Sequence, residues 1–79
     1  MDNTHQDYKN FLEEQLQWCK ERDSILEQID EKLREMKQIA EYALEYELTS
    51  IEIDELNDQL NKLKREVHSL EKQLHSVIY

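Results

Sequence analysis

Three histidines, one cysteine and 19 carboxylates are the residues through which this 79-residue chain could do chemistry. His68 and His75 stand two helical turns apart with Glu71 between them, and imidazole and carboxylate at that spacing can share a metal ion. No Cys/His cluster accompanies them, and His5 lies far away in the sequence, so all three read as solvated histidines and no metal is expected. Cys19 falls on an apolar helical stripe, where a thiol behaves as a small buried hydrophobe rather than a nucleophile. Carboxylates are so abundant that pairs at acid–base spacing arise by chance, and no enclosed pocket is in prospect to shift their pKa values. The chain has no glycine, which rules out Gly-rich phosphate loops and dinucleotide fingerprints. A non-enzymatic protein without a cofactor is the expectation.

Composition limits the elements available to position these residues. Gly and Pro are both absent, so the tight turns of hairpin-rich sheets have none of their usual residues. Hydrophobic residues make up 38% and charged residues 37% of the chain, the balance of a long amphipathic helix. A single all-α domain is therefore expected over residues 1–79. Its core is marginal unless shared with a partner. The net charge of −9 argues against binding nucleic acid, which needs a basic face, and against an anionic membrane surface. A lone cysteine cannot form an internal disulfide, and residues 1–6 lack a basic-then-apolar signal pattern. No stretch approaches the length of a membrane helix. A cytoplasmic setting is expected.

Periodicity places two helices. In the second, Ile53, Leu56, Leu60, Leu63, Val67, Leu70, Leu74 and Val77 recur in alternating steps of three and four, an unbroken heptad stripe. In the first, Leu26, Ile29, Leu33, Met36, Ala40 and Ala43 follow the same rule, and the register runs back through Arg22, Cys19, Gln15, Leu12 and Tyr8. Between them, Thr49 and Glu52 have the spacing of a capping box, with Leu48 and Ile53 placed as a hydrophobic staple. The spacing predicts one helix over about 5–47, a turn over about 48–50 and a second helix over about 50–77. Ser24 and Glu27 form a second candidate capping box, so a break at 23–24 is the alternative; with no Gly or Pro there, continuity is favoured.

Two helices joined by a short turn run antiparallel. Pairing Ala43 with Ile53 then sets Ala40 on Leu56, Met36 on Leu60, Leu33 on Leu63, Ile29 on Val67 and Leu26 on Leu70, all apolar layers. Lys32 falls near Glu66 and Asp30 near Lys64, with opposite signs, whereas Asp23 near Glu71 is repulsive. This coiled-coil-like hairpin leaves Tyr8, Phe11, Leu12 and Leu16 overhanging at one end, with Trp18 forming an aromatic pair with Phe11 on the first helix, and Ile25, Ile39 and Leu44 beside the seam without apolar counterparts. These are the expected self-association residues. Packing two hairpins into a helical bundle as a homodimer would bury them; folding residues 5–22 back into a three-helix bundle is the alternative.

The acidic residues are concentrated at the turn. Glu41, Glu45, Glu47, Glu52, Asp54, Glu55 and Asp58 occupy a window with no Lys or Arg. Tyr42 and Tyr46 are one turn apart beside Ile39 and Glu45, on the face turned away from the expected seam. Aromatics next to acids suit a binding hot spot, so Ile39, Tyr42, Glu45, Tyr46, Glu47 and Glu52 are the expected partner-binding residues, for a protein with a basic surface.

Leu33, Met36, Ile39-Ala40 and Ala43, then Thr49 and Glu52, then Leu56, Leu60, Leu63, Glu66 and Val67 follow an order and spacing also found in a filament protein family. From 25 to 70 the chain resembles the N-terminal helical hairpin of bacterial flagellins. The flanking filament-forming segments and the Asn- and Gly-containing stretch of that family are missing. The resemblance thus implies a detached hairpin that imitates or engages a flagellin-like helical surface, not a filament subunit. The functional expectation from the residues themselves is an acidic coiled-coil adaptor or inhibitor that binds a protein. The alternative is an acidic mimic of nucleic acid that occupies a DNA- or RNA-binding surface.

Overall fold

The computed structural model describes the backbone of residues 2–78 and the side chains of residues 4–78. Helix α1 runs from Asp2 to Glu45 and helix α2 from Ser50 to Ile78. They form an antiparallel hairpin 72 Å long and 18 by 12 Å across. Residues 46–49 connect them, so α1 stops two residues before the expected 47. No described residue has positive φ, so the turn is made without the left-handed conformation that glycine favours.

The start of α2 is fixed locally. Thr49 Oγ1 accepts a hydrogen bond from the Glu52 amide at 3.2 Å, and Glu52 Oε1 accepts one from the Thr49 amide at 3.3 Å. This is the reciprocal capping box that the sequence predicts. The first bond of α2 follows from the Ile53 amide to the Thr49 carbonyl at 3.0 Å. Leu48 is half-buried, while Ile53 remains 47% exposed.

At 23–24 the helix does not break. Ser24 accepts from the Gln28 side-chain amide through both its carbonyl and its hydroxyl, at 3.3 and 3.4 Å, and its backbone stays helical. Capping would require a non-helical Ser24, and nothing nearby enforces one. The three-helix alternative is thereby corrected: residues 5–22 continue α1 in line and do not fold back.

The α2 side of the seam follows the expected stripe, with Leu63, Val67 and Leu70 buried and Leu56, Leu60, Leu74 and Val77 half-buried. The α1 side is rotated by one residue at alternate layers. Ile25 is buried, and Ile29, Lys32, Met36 and Ile39 are half-buried. Leu26 and Leu33 keep 45% and 49% of their surface, and Ala40 and Ala43 are exposed. The physical reason is that the apolar residues of α1 fall on three adjacent tracks, through Ile25 and Ile39, through Leu26 and Leu33, and through Ile29 and Met36, a stripe wider than one partner helix covers. Ile29 and Met36 belong to either choice of track. The track Ile25–Lys32–Ile39 prevails over Leu26–Leu33–Ala40. Ile39 fills more space than Ala40, and Lys32 lays its aliphatic stem along the seam while its ammonium reaches across to α2. That ammonium sits 2.8 Å from Glu66 Oε2, the cross-helix pair anticipated from the sequence. Asp30 pairs with Arg34 on its own helix.

Trp18 closes the far end. Its indole N–H donates to the Val77 carbonyl, and the Arg22 guanidinium lies 5.1 Å from the centre of its ring, within cation–π range.

Candidate interaction surface

The sharpest concentration of chemistry lies at the linker end. Tyr42 and Tyr46, one turn apart, bring their rings to 4.7 Å between centroids at a tilt of 36°. The Tyr46 amide donates to the Tyr42 carbonyl at 3.3 Å, which closes the last turn of α1. Both rings are about half exposed. Beside Tyr42 an open groove of about 510 Å³ runs between the helices, and Ile39, Tyr42 and Leu56 form the apolar part of its lining. Glu35, Glu52 and Glu55 stand around it, Gln38 and Gln59 complete the lining, and no base contributes.

Of the expected partner-binding residues, Ile39, Tyr42 and Glu52 meet in this groove, and Tyr46 stacks beside it. Glu45 and Glu47 are exposed at the helix end and do not line it. Glu52 serves twice, since its carboxylate also caps α2. Glu35, Gln38, Glu55, Leu56 and Gln59 complete the site without having been anticipated. Glu35 lies one heptad before Tyr42, so heptad arithmetic was the signal that could have found it.

Electrostatics reinforce the negative character. The last turn of α1 contains no base, although a helix C-terminus favours cations. Glu41 and Glu45 there add to the negative end of the helix dipole. Lys37 comes only to 3.9 Å of Glu41. Away from the tip, Lys32 and Glu66 shift one another: their hydrogen bond and mutual charge hold the Glu66 carboxyl below its ordinary value and the Lys32 ammonium above its own.

The expected self-association residues divide into two groups. Tyr8, Phe11, Leu12, Leu16 and Leu44 are exposed, at 48% to 88%. Trp18, Ile25 and Ile39 belong to the hairpin itself: Ile25 is buried at 7% and Ile39 is half-buried, which corrects their placement beside the seam, and Trp18 is bonded to α2. The cause is the same rotation of α1.

The histidine and cysteine groups form no cluster. His68 Nδ1 lies 3.7 Å from Glu71 Oε2, both exposed, and Cys19 is a half-buried free thiol. Among the described residues no group of three or more His, Cys, Asp or Glu side chains is placed to hold a metal ion. No described helix is long and apolar enough to cross a membrane. No family model, curated protein or solved structure matches the chain.

Proposed function

We propose that this chain is a small, non-enzymatic protein-binding module that engages a basic protein surface through its linker end, as an adaptor or an inhibitor. The reading rests on the tip groove, whose lining combines the apolar Ile39, Tyr42 and Leu56 with Glu35, Glu52 and Glu55 and contains no base. A partner that inserts an apolar side chain there gains buried area, and its Lys or Arg residues meet carboxylates whose charge steers the encounter. A cytoplasmic setting fits this reading, because a reducing compartment keeps the lone Cys19 as a thiol.

The test is a pull-down with the immobilised full chain from lysate of the native cell, read by quantitative mass spectrometry. The Glu35→Lys, Glu55→Lys double variant should lose the captured protein. Glu13→Lys, Glu14→Lys, which changes the charge equally at the other end, should retain it. Capture that is indifferent to Glu35 and Glu55 sinks the tip reading. Steep loss of binding with salt, together with competition by nucleic acid, would favour the nucleic-acid mimic instead. A salt-tolerant partner seated along the helices would favour imitation of a flagellin-like surface.

A further inference from the structure

Helix α1 has a second apolar track that the hairpin does not use. Leu12, Cys19, Leu26, Leu33 and Ala40 stand seven residues apart. By helical geometry they occupy the flank of the seam opposite the one bearing Glu35 and Tyr42. Leu12, Leu26 and Leu33 are each about half exposed. Outboard of them a parallel track carries Leu16, Asp23, Asp30, Lys37 and Leu44, and its two leucines are 57% and 88% exposed. The face is continuous with the hairpin seam, because both share Ile29 and Met36.

We propose that this face is covered by the same face of a second copy of the chain, the two α1 helices running antiparallel about a two-fold axis at the level of Ile29 and Asp30. The pattern of charges and leucines selects that occupant and that register. Leu26 then lies against Leu33 of the second copy and Cys19 against Ala40. On the outboard track Leu16 meets Leu44, and Asp23 meets Lys37. Symmetry repeats each of these contacts, as a two-fold interface requires. The one like-charge meeting is Asp30 with its own copy at the axis, and each Asp30 is already paired with Arg34 of its own helix.

Neighbouring registers are worse. A slide of one heptad in one direction sets Asp23 against Asp30 twice. A slide in the other direction pairs Asp30 with Lys37, but it sets Cys19 against Glu47 and Asp23 against Leu44 and leaves Leu16 beyond the end of the other α1. The chosen register engages residues 16–44 of both helices, about 42 Å of contact at 1.5 Å per residue. It places the two acidic tips at opposite ends, roughly 50 Å apart on the same rise. The inference stands independently of what the tips bind.

The native thiol supplies the test. In the full chain carrying Ala40→Cys, mild oxidation should link Cys19 of one copy to position 40 of the other and give a covalent dimer. Adding Cys19→Ser to that variant should abolish the link, because two copies of position 40 lie roughly 30 Å apart, about 21 residues along the axis. Wild-type protein should not cross-link, for the same reason. Sedimentation equilibrium over micromolar concentrations should give a dimer for wild type and a monomer of unchanged helicity for Leu26→Lys, Leu33→Lys. A monomeric wild type at 100 micromolar (about 1 mg/ml for a 9.7 kDa chain) overturns the proposal. So does a dimer that survives both lysines, or one that forms without the link between positions 19 and 40.

Discussion

Replacing Ile25 and Leu26 by alanine, one at a time, tests which side of α1 faces α2. The two residues are adjacent and similar in size, yet Ile25 is 7% exposed and Leu26 is 45% exposed. Truncating a buried isoleucine to alanine costs about 2–5 kcal/mol. The better helix propensity of alanine returns only a few tenths of that. We take about 2–4 kcal/mol for Ile25→Ala, because this seam is one layer deep and can partly collapse. Leu26 has already left nearly half its surface in water, so the same truncation should cost about 1 kcal/mol in the isolated hairpin. At about 4–8 °C per kcal/mol for a domain of this size, Ile25→Ala should lower the melting temperature by about 8–30 °C and Leu26→Ala by about 4–8 °C.

Thermal melts followed by circular dichroism at 222 nm would measure both, repeated over a hundredfold range of protein concentration. The Ile25→Ala penalty should hardly vary with concentration. The Leu26→Ala penalty should grow as the protein is concentrated, because the proposed association would bury that side chain. Equal penalties at the lowest concentration, or a larger one for Leu26→Ala, would refute the seam described above.

Two further outcomes follow from the local geometry. Thr49→Ala removes the hydroxyl that caps α2 and should cost about 1 kcal/mol, with Thr49→Ser restoring most of it; an unchanged denaturant midpoint for the alanine variant would mean that the cap contributes nothing. Glu66 titrates below its ordinary value of 4.5 when folded, so its contribution is present above that value and fades as pH falls through the lower, folded one. The Lys32 contribution is present below 10.5 and fades as pH rises beyond that. The stability gap between wild type and Glu66→Gln should therefore be flat from about pH 6 to pH 9 and close on acidification toward about pH 2; a gap that persists in acid would show that the carboxylate charge is not its source.

The sequence reveals α2 more fully than α1, for a physical reason. Between Leu56 and Val77 only two positions per heptad of α2 are apolar, so Leu63, Val67 and Leu70 leave a single choice of buried face. In α1 a third track competes, and two tracks one residue apart satisfy the same period equally well. Lys32 made the choice harder still, because it counts as polar in any pattern yet its stem suits a seam and its ammonium a neighbouring carboxylate. The Thr49–Glu52 cap was legible because all its parts lie within four residues. The end of α1 was not, since no glycine or other C-terminal signal marks it. The tip groove was half legible: Tyr42 and Glu52 stand out in the acidic window, whereas Glu35 and Leu56 join them only once the two helices are set side by side.

The four-residue connection between α1 and α2 also dictates an order of assembly. Closing a short loop carries the smallest entropic penalty, so the first cross-helix layers to meet are those beside Thr49, where the capping box already holds the first turn of α2. Each later layer extends a pairing already made, and the chain closes like a zipper, with contacts between neighbouring layers setting the rate at each step. The contact between Trp18 and Val77, separated by 59 residues along the chain, lies at the opposite end and closes last. The single tryptophan of the protein thus sits where it registers completion of the hairpin, and its emission would lag behind the helical signal by the time the zipper takes to run its length.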